Sequence, residues 1–390
     1  MIGGGTAGTT VAARLRRSGV DDVAMVEPSG THWYQPLWTL VGGGLAPISE
    51  SARPQSRVVP RGVRWVQDHA VEIDPDRRLV ATSAGGSIGY DFLVVAPGIQ
   101  LDWGAVPGLE PALGHHGVSS NYRSDLAPRT WDFIRDLRSG TALFTAPSTP
   151  VKCGGAAQKI AFLAADWWRR QGVLGDIRVV LALPGTAVFG VPEFRRVLEQ
   201  VIDRYGIELR LGHELVEVDA AARQAVLADS ASGTRTRLPY DLLHAVPPQS
   251  APDFLKGSPV AAPGEAAGWV EVDRSTLRHP RYPEVFSLGD ASSAPTSRTG
   301  SAVRKQAPVL VANLLAVMAG GEPAAAYDGY SSCPFTTARN RVLMAEFDYT
   351  LRPHPTVPFV DTTKERYDMW LLKRYGLPFI YWNLMLRGLA

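Results

Sequence analysis

Two cysteines, Cys153 and Cys333, are the only thiols in the chain, and they can act together only if the fold brings distant segments into contact. Cys153 stands in Thr149-Pro150-Val151-Lys152-Cys153-Gly154-Gly155, between a strand-like run and a helix-like one. A thiol at a helix N-terminus beside a lysine gains thiolate character, because the helix dipole and the ammonium both favour the anion. Cys333, in Ser331-Ser332-Cys333-Pro334, reads as a loop position. Two descriptions fit these residues: inert buried thiols, the common fate of free cysteine, or a redox pair. Two thiols this far apart are no secreted-type disulfide framework. Neither has a cysteine or histidine at zinc spacing, so no metal centre is expected.

The second chemical signature is Gly3, Gly5 and Gly8, which spell G-x-G-x-x-G before a helical run from Thr9 to Arg17 and a strand from Val23 to Glu27. In such a unit the first glycine permits a tight turn, the second lets backbone approach a pyrophosphate, and the third allows close helix packing. The helix N-terminus then faces the phosphates. Glu27, about 20 residues beyond the loop, is placed to accept hydrogen bonds from a ribose diol. A strand over Tyr90–Ala96 turns at Pro97-Gly98, and Val285–Leu288 forms another strand ending in Gly289-Asp290. The strand feeding such a loop usually takes about five residues, yet only Met1 and Ile2 precede Gly3. The start therefore reads as clipped, which leaves an upstream targeting segment open.

These groups need a scaffold, and the chain supplies an α/β one. Its 390 residues suffice for two or three domains, and 45% apolar with 20% charged residues is an ordinary globular composition. Thr141–Ala146, a helix over Ala156–Arg169 and Ile177–Leu183 repeat the strand-helix-strand order. Leu183–Gly190 lacks the glycine fingerprint, so no phosphate cradle for a second dinucleotide such as NADH is evident. The expected architecture is two Rossmann-like dinucleotide-binding domains: a discontinuous one over 1–110 and 261–320, and a second over 111–260. A C-terminal region, 321–390, is rich in aromatic residues. A formal charge of +2 gives no field that would draw nucleic acid. No run reaches the length of a membrane-spanning helix. Of the histidines, His244 reads as a hydrogen-bonded core residue and His115 and His116 as loop residues.

The chain resembles the sulfide:quinone oxidoreductases over almost its whole length. The resemblance rests on Gly3-Gly4-Gly5-Thr6-Ala7-Gly8, Tyr34-Gln35-Pro36-Leu37-Trp38-Thr39-Leu40-Val41-Gly42, the Cys153 segment, and Phe286-Ser287-Leu288-Gly289-Asp290. It continues in Lys305-Gln306-Ala307-Pro308, Tyr327-Asp328-Gly329-Tyr330-Ser331-Ser332-Cys333-Pro334 and Tyr381-Trp382-Asn383-Leu384-Met385-Leu386-Arg387-Gly388. The two cysteine segments and the aromatic C-terminus are far more specific than the glycine motif. Many members carry a third cysteine, absent here, so the chain resembles the branch with two redox cysteines and noncovalent FAD, found also in mitochondria. Ala157 departs from the proline common at that position.

The resemblance implies that Cys153 and Cys333 are joined by a disulfide or trisulfide, that hydrosulfide opens it, and that Cys153 keeps the sulfur as a persulfide. A small acceptor (glutathione, sulfite or another thiol) then takes that sulfur, and two electrons pass through FAD to ubiquinone or menaquinone. It implies FAD held by Gly3, Gly5, Gly8, Glu27, Gly98 and Asp290, with Lys305 and Gln306 at the edge of the flavin. Quinone would be met by Phe347, Phe379, Tyr381 and Trp382. The tail from Trp370, broken at Pro378 into two short helices, is expected to lie in the membrane interface, making the protein monotopic on an energy-transducing membrane, a bacterial cytoplasmic one. Alternatives on the same scaffold are a type II NADH:quinone oxidoreductase and a cytochrome-coupled sulfide dehydrogenase. A non-catalytic flavin sensor is the alternative of another class.

Overall fold

The computed structural model describes residues 1–390. Its N-terminal sheet is parallel and built from very short strands. Ile2 bridges Val26 on one side and Val95 on the other, and Ala24–Val26 continues to Arg64–Val66. Leu93–Val95 continues to Val285–Ser287, so a strand from late in the chain completes the sheet. The helices Thr6–Arg17 and Gly300–Met318 pack on each other against it. The first helix follows closely on the strand at Ile2, whereas the second begins only after the Gly289–Ala291 turn and a further loop beyond Ser287.

The second sheet is also parallel, ordered Val118–Ser119, Leu242–Ala245, Gly140–Thr145, Ile177–Leu183, Glu208–Leu211. Its central strands are apolar nearly throughout because a parallel sheet is covered on both faces. The helix Ala156–Arg170 covers one of them, burying Ile160, Phe162, Leu163 and Trp168.

The C-terminal region joins the two units. Ser331–Ala338 pairs antiparallel with Arg341–Phe347, and every residue of the first strand is buried. Cys333 and Phe335 belong to the core of the second sheet, whereas Tyr330, Val342 and Met344 belong to that of the first. Cys333 is thus a strand residue and not the loop position expected. Pro334 is tolerated there, and the pairing of Cys333 with Ala345 is kept.

The tail is one continuous helical rod: α over Tyr367–Leu371, π over Leu372–Gly376 and α over Leu377–Asn383. Pro378 does not break it. A π turn bonds five residues apart, which leaves room for the proline ring and no N–H to miss. Trp370, Tyr381, Trp382, Met385 and Leu386 share a core with Ala7, Val11 and Leu15 of the first helix. No helix is long and apolar enough to cross a membrane.

Candidate functional site

The glycine loop is shaped by contacts that no side chain could make. Gly3 has φ +92°, and a Cβ there would lie 2.2 Å from the carbonyl oxygen of Ala96; at Gly8 it would lie 1.8 Å from that of Gly3. Gly5 faces open space and caps a helix that has no side-chain N-cap, so first-turn amides are free for an anion. The Glu27 carboxylate accepts the Gly4 amide at 2.7 Å and the Ser29 amide at 2.8 Å, fixing it at the end of its strand. Gly98, at φ +83°, leaves open space beside its own turn. The buried Gln249 Nε2 and Ser250 Oγ have no partner in the protein. A dinucleotide cofactor fits these features: phosphates at the free amides, a ribose at Glu27, and buried donors left for a ligand.

On the facing loop Gln306 is buried and its side-chain oxygen accepts the Gly289 amide at 3.0 Å, holding the turn that presents Asp290. Burial pushes the Asp290 carboxyl up, against the pull of Lys152 and Arg298. Lys305 is exposed, with its Nζ 5.5 Å from the Tyr330 ring centroid. The helix opens at Gly300, capped by the Thr299 hydroxyl accepting from Ala302. Lys305 therefore falls in the second turn, where the helical rotation that turns Gln306 inward turns its neighbour out.

The two cysteines are brought together. Both are free thiols, Cys153 partly exposed and Cys333 buried, and each is the strongest influence on the other's titration. Gly155 permits this: a Cβ there would stand 2.5 Å from Phe335 and 3.0 Å from Cys333 Sγ. The lysine in contact with Cys153 is not its neighbour Lys152, whose Nζ reaches Gln35 at 2.7 Å. It is Lys159, one and a half helical turns on, whose buried Nζ donates to Cys153 Sγ at 3.0 Å. Helical periodicity brings a residue in the first turn back over the N-terminal loop, a signal the sequence held and local reading passed over. Lys373 of the tail is buried nearby and donates to the Pro36 carbonyl at 3.0 Å.

The electrostatics separate the two sulfurs. The neighbouring Cys333 thiol holds Cys153 well below the usual thiol range, with Lys159 and then Lys373 adding to it against burial. Cys153, with burial, pushes Cys333 up. Burial opposes charge on Lys159, but Cys153 and then Cys333 hold its ammonium above the ordinary value. Burial, helped by Lys159, brings Lys373 down to about 8. The site therefore favours the anion on Cys153 over Cys333, beside the Lys159 ammonium and a second lysine brought down to about 8.

The aromatic residues expected at a quinone do not form one lining. Tyr381 and Trp382 are buried against the glycine loop: the Tyr381 hydroxyl bonds Thr6 Oγ1 at 2.9 Å and His32 Nε2 at 2.6 Å. Phe347 is buried in the other core, its ring 5.5 Å from that of Phe189. It borders a hollow of about 530 Å³ lined also by Val151, Gly154, Trp269 and Arg298. Of the four, only Phe379 faces outward. His244 is a buried core histidine whose Nε2 accepts the Asn121 amide at 3.0 Å, and burial brings it down to about 3.

Residues 1–308 match the family model described as pyridine nucleotide-disulphide oxidoreductase. The whole chain aligns at 43% identity with the mitochondrial sulfide:quinone oxidoreductase of Mus musculus, covering 86% of that protein. It aligns at 41% with the one of Dictyostelium discoideum, covering 85%. Among solved structures, the sulfide:quinone oxidoreductase of Aquifex aeolicus superposes with a TM-score of 0.82 at 19% identity, over 99% of this chain and 90% of that one. The full-length relatives are named mitochondrial, so a bacterial cytoplasmic membrane finds no support in them.

Proposed function

Since the chain belongs to the sulfide:quinone oxidoreductase family of pyridine nucleotide-disulphide oxidoreductases, we propose that it oxidises sulfide through the Cys153/Cys333 pair and delivers the electrons to quinone with FAD. The single observation that carries this reading is the cysteine pair itself: two thiols from distant segments brought to one site beside Gly155, with Lys159 3.0 Å from Cys153 Sγ.

In the resting enzyme the two sulfurs form a bridge. Hydrosulfide attacks Cys153 Sγ, the bond to Cys333 breaks, and Cys333 leaves as a thiolate while Cys153 carries the added sulfur as a persulfide. Lys159, which faces both sulfurs, stabilises the leaving thiolate. A small nucleophile then removes the outer sulfur from Cys153, leaving two thiolates whose re-joining releases an electron pair. FAD, when bound through the free amides after Gly5, through Glu27 and beside Asp290, supplies the two-electron relay between that pair and quinone. Gln306 keeps the Gly289-Asp290 turn in place. The only two cysteines serve the bridge, so FAD is held without a covalent thioether link.

The tail presents Tyr367, Leu371, Tyr375 and Phe379 on one exposed face, 58%, 41%, 61% and 60% accessible. Four apolar side chains spaced four apart along a rod suit the membrane interface, where quinone enters. Phe379 ends that exposed face, and Tyr381 and Trp382 secure the rod to the glycine loop. The test of the reading is anaerobic: addition of sulfide should bleach the flavin of the wild-type protein, and a quinone analogue should restore its colour. A flavin indifferent to sulfide would refute it.

A further inference from the structure

Cys153 has φ +55°, a left-handed backbone that residues other than glycine seldom adopt and that persists only where surrounding contacts over-determine it. Nothing in the Cys153/Cys333/Lys159 cluster holds that backbone. The contacts that do so come from elsewhere. The Lys152 amide donates to Gln249 Oε1 at 3.0 Å, and the Cys153 amide to the Arg298 carbonyl at 3.0 Å. The Cys153 carbonyl accepts the Ala156 amide at 2.9 Å, which closes the turn into the helix. One side-chain hydroxyl completes the set. Tyr122 donates to the Lys152 carbonyl at 2.7 Å and approaches the Cys153 carbonyl at 3.2 Å.

Tyr122 is itself fixed from the second sheet. It follows the Val118–Ser119 strand, its amide donates to Ser120 Oγ at 3.3 Å, and the preceding Asn121 amide donates to His244 Nε2 on the neighbouring strand. The phenol is buried, and burial followed by Cys153 and Cys333 pushes its pKa up, so it stays a neutral donor.

We propose that Tyr122 is a positioning residue: its hydroxyl pins the Lys152–Cys153 carbonyls, keeps Cys153 in the left-handed conformation, and so holds its sulfur against Cys333. The proposal rests on the reading of the two cysteines as a reversible bridge. Its consequence is specific to that bridge. A thiol held in place has a high effective concentration towards its partner, and loosening it weakens bridge formation without removing either thiol.

The test is Tyr122→Phe, which keeps the buried ring and removes only the donor. The holoenzyme is equilibrated anaerobically in glutathione redox buffers, without sulfide or quinone, and the fraction of bridged Cys153/Cys333 is read by thiol trapping and peptide mass analysis. The equilibrium constant for bridge formation should fall about tenfold, a potential shifted by about 30 mV towards easier reduction. Flavin content and the thermal midpoint should stay near wild type, which a general loss of structure would not allow. Gln249→Met frees the same peptide from its other side and, compared at matched flavin occupancy because its Nε2 is also a donor left for the cofactor, should move the potential in the same direction, so the proposal stays testable if the first variant does not fold. An unchanged potential in the folded variant overturns the proposal and leaves the functional reading standing. A wild-type protein that forms no bridge in oxidising buffer overturns both.

Discussion

Replacing Lys159 by methionine should raise the pKa of Cys153 and slow the opening of the bridge by sulfide. Lys159 Nζ lies 3.0 Å from Cys153 Sγ, with the lysine buried and the cysteine partly exposed. At an effective dielectric of about 20, unit charges at that separation attract by ~5.5 kcal/mol, equivalent to about four pKa units. The net change must be smaller. Cys333 remains as the larger source of the depression, Lys373 remains as a second cation, and part of the attraction only offsets desolvation. A rise of about one to two units is the result. Methionine fills a similar volume, so packing is conserved. The assay is alkylation of the reduced holoenzyme by iodoacetamide across pH, with Cys153 followed by peptide mapping. Flavin reduction by sulfide is timed alongside and should slow about tenfold or more, because the leaving thiolate has lost its cation. An alkylation midpoint within about 0.3 units of wild type would refute the electrostatic argument, since one unit is only about 1.4 kcal/mol.

Acid precipitation should release free flavin into the supernatant, and yellow protein in the pellet would contradict noncovalent binding. His32 is brought down to about 4, chiefly by burial against the raising effect of Gln55 and Gly4. Between about pH 6.5 and 4 the unfolded chain therefore binds a proton that the folded one refuses, and stability falls as pH drops through that window. His32→Gln should flatten the slope of unfolding free energy there by up to about 1.4 kcal/mol per pH unit; urea unfolding at stepped pH reads this, and an unaltered slope speaks against it. Replacing Leu371 and Phe379 by serine should weaken liposome binding and turnover with long-chain quinones while sulfide still bleaches the flavin, and full liposome binding would exclude the exposed stripe as the membrane contact. Deleting Trp370–Ala390 should cost FAD as well, because Tyr381, Trp382 and Leu386 pack against the glycine-loop helix; a deletion that keeps its flavin would contradict that packing.

The parts of this site legible in the sequence are those set by local chemistry. Gly3 and Gly8 announce themselves because no other residue fits their contacts, and the helix after Cys153 is marked by its own periodicity. The two cysteines stand out by scarcity. What escaped reading depends on contacts between distant segments. Lys159 was hidden by attention to the adjacent Lys152, and Tyr122 carries no motif, since its role arises from a carbonyl 30 residues away. Cys333 looked like a loop residue because Pro334 usually ends a strand, yet here the strand lies buried between two cores. The tail's composition suggested a lipid-facing segment, and only packing reveals that one of its faces closes over the cofactor cradle. Different aromatic residues lie on the exposed and buried faces, and composition does not distinguish the two.

The most direct test of the central claim is an anaerobic sulfide titration of the purified flavoprotein, wild type beside Cys153→Ser and Cys333→Ser, with flavin absorbance as the readout. The wild-type flavin should bleach on sulfide addition and recover its colour with a quinone analogue, while both variants keep bound FAD and stay oxidised over the same interval. Bleaching of either variant at the wild-type rate would contradict the account, because sulfide would then reach the flavin without the cysteine bridge.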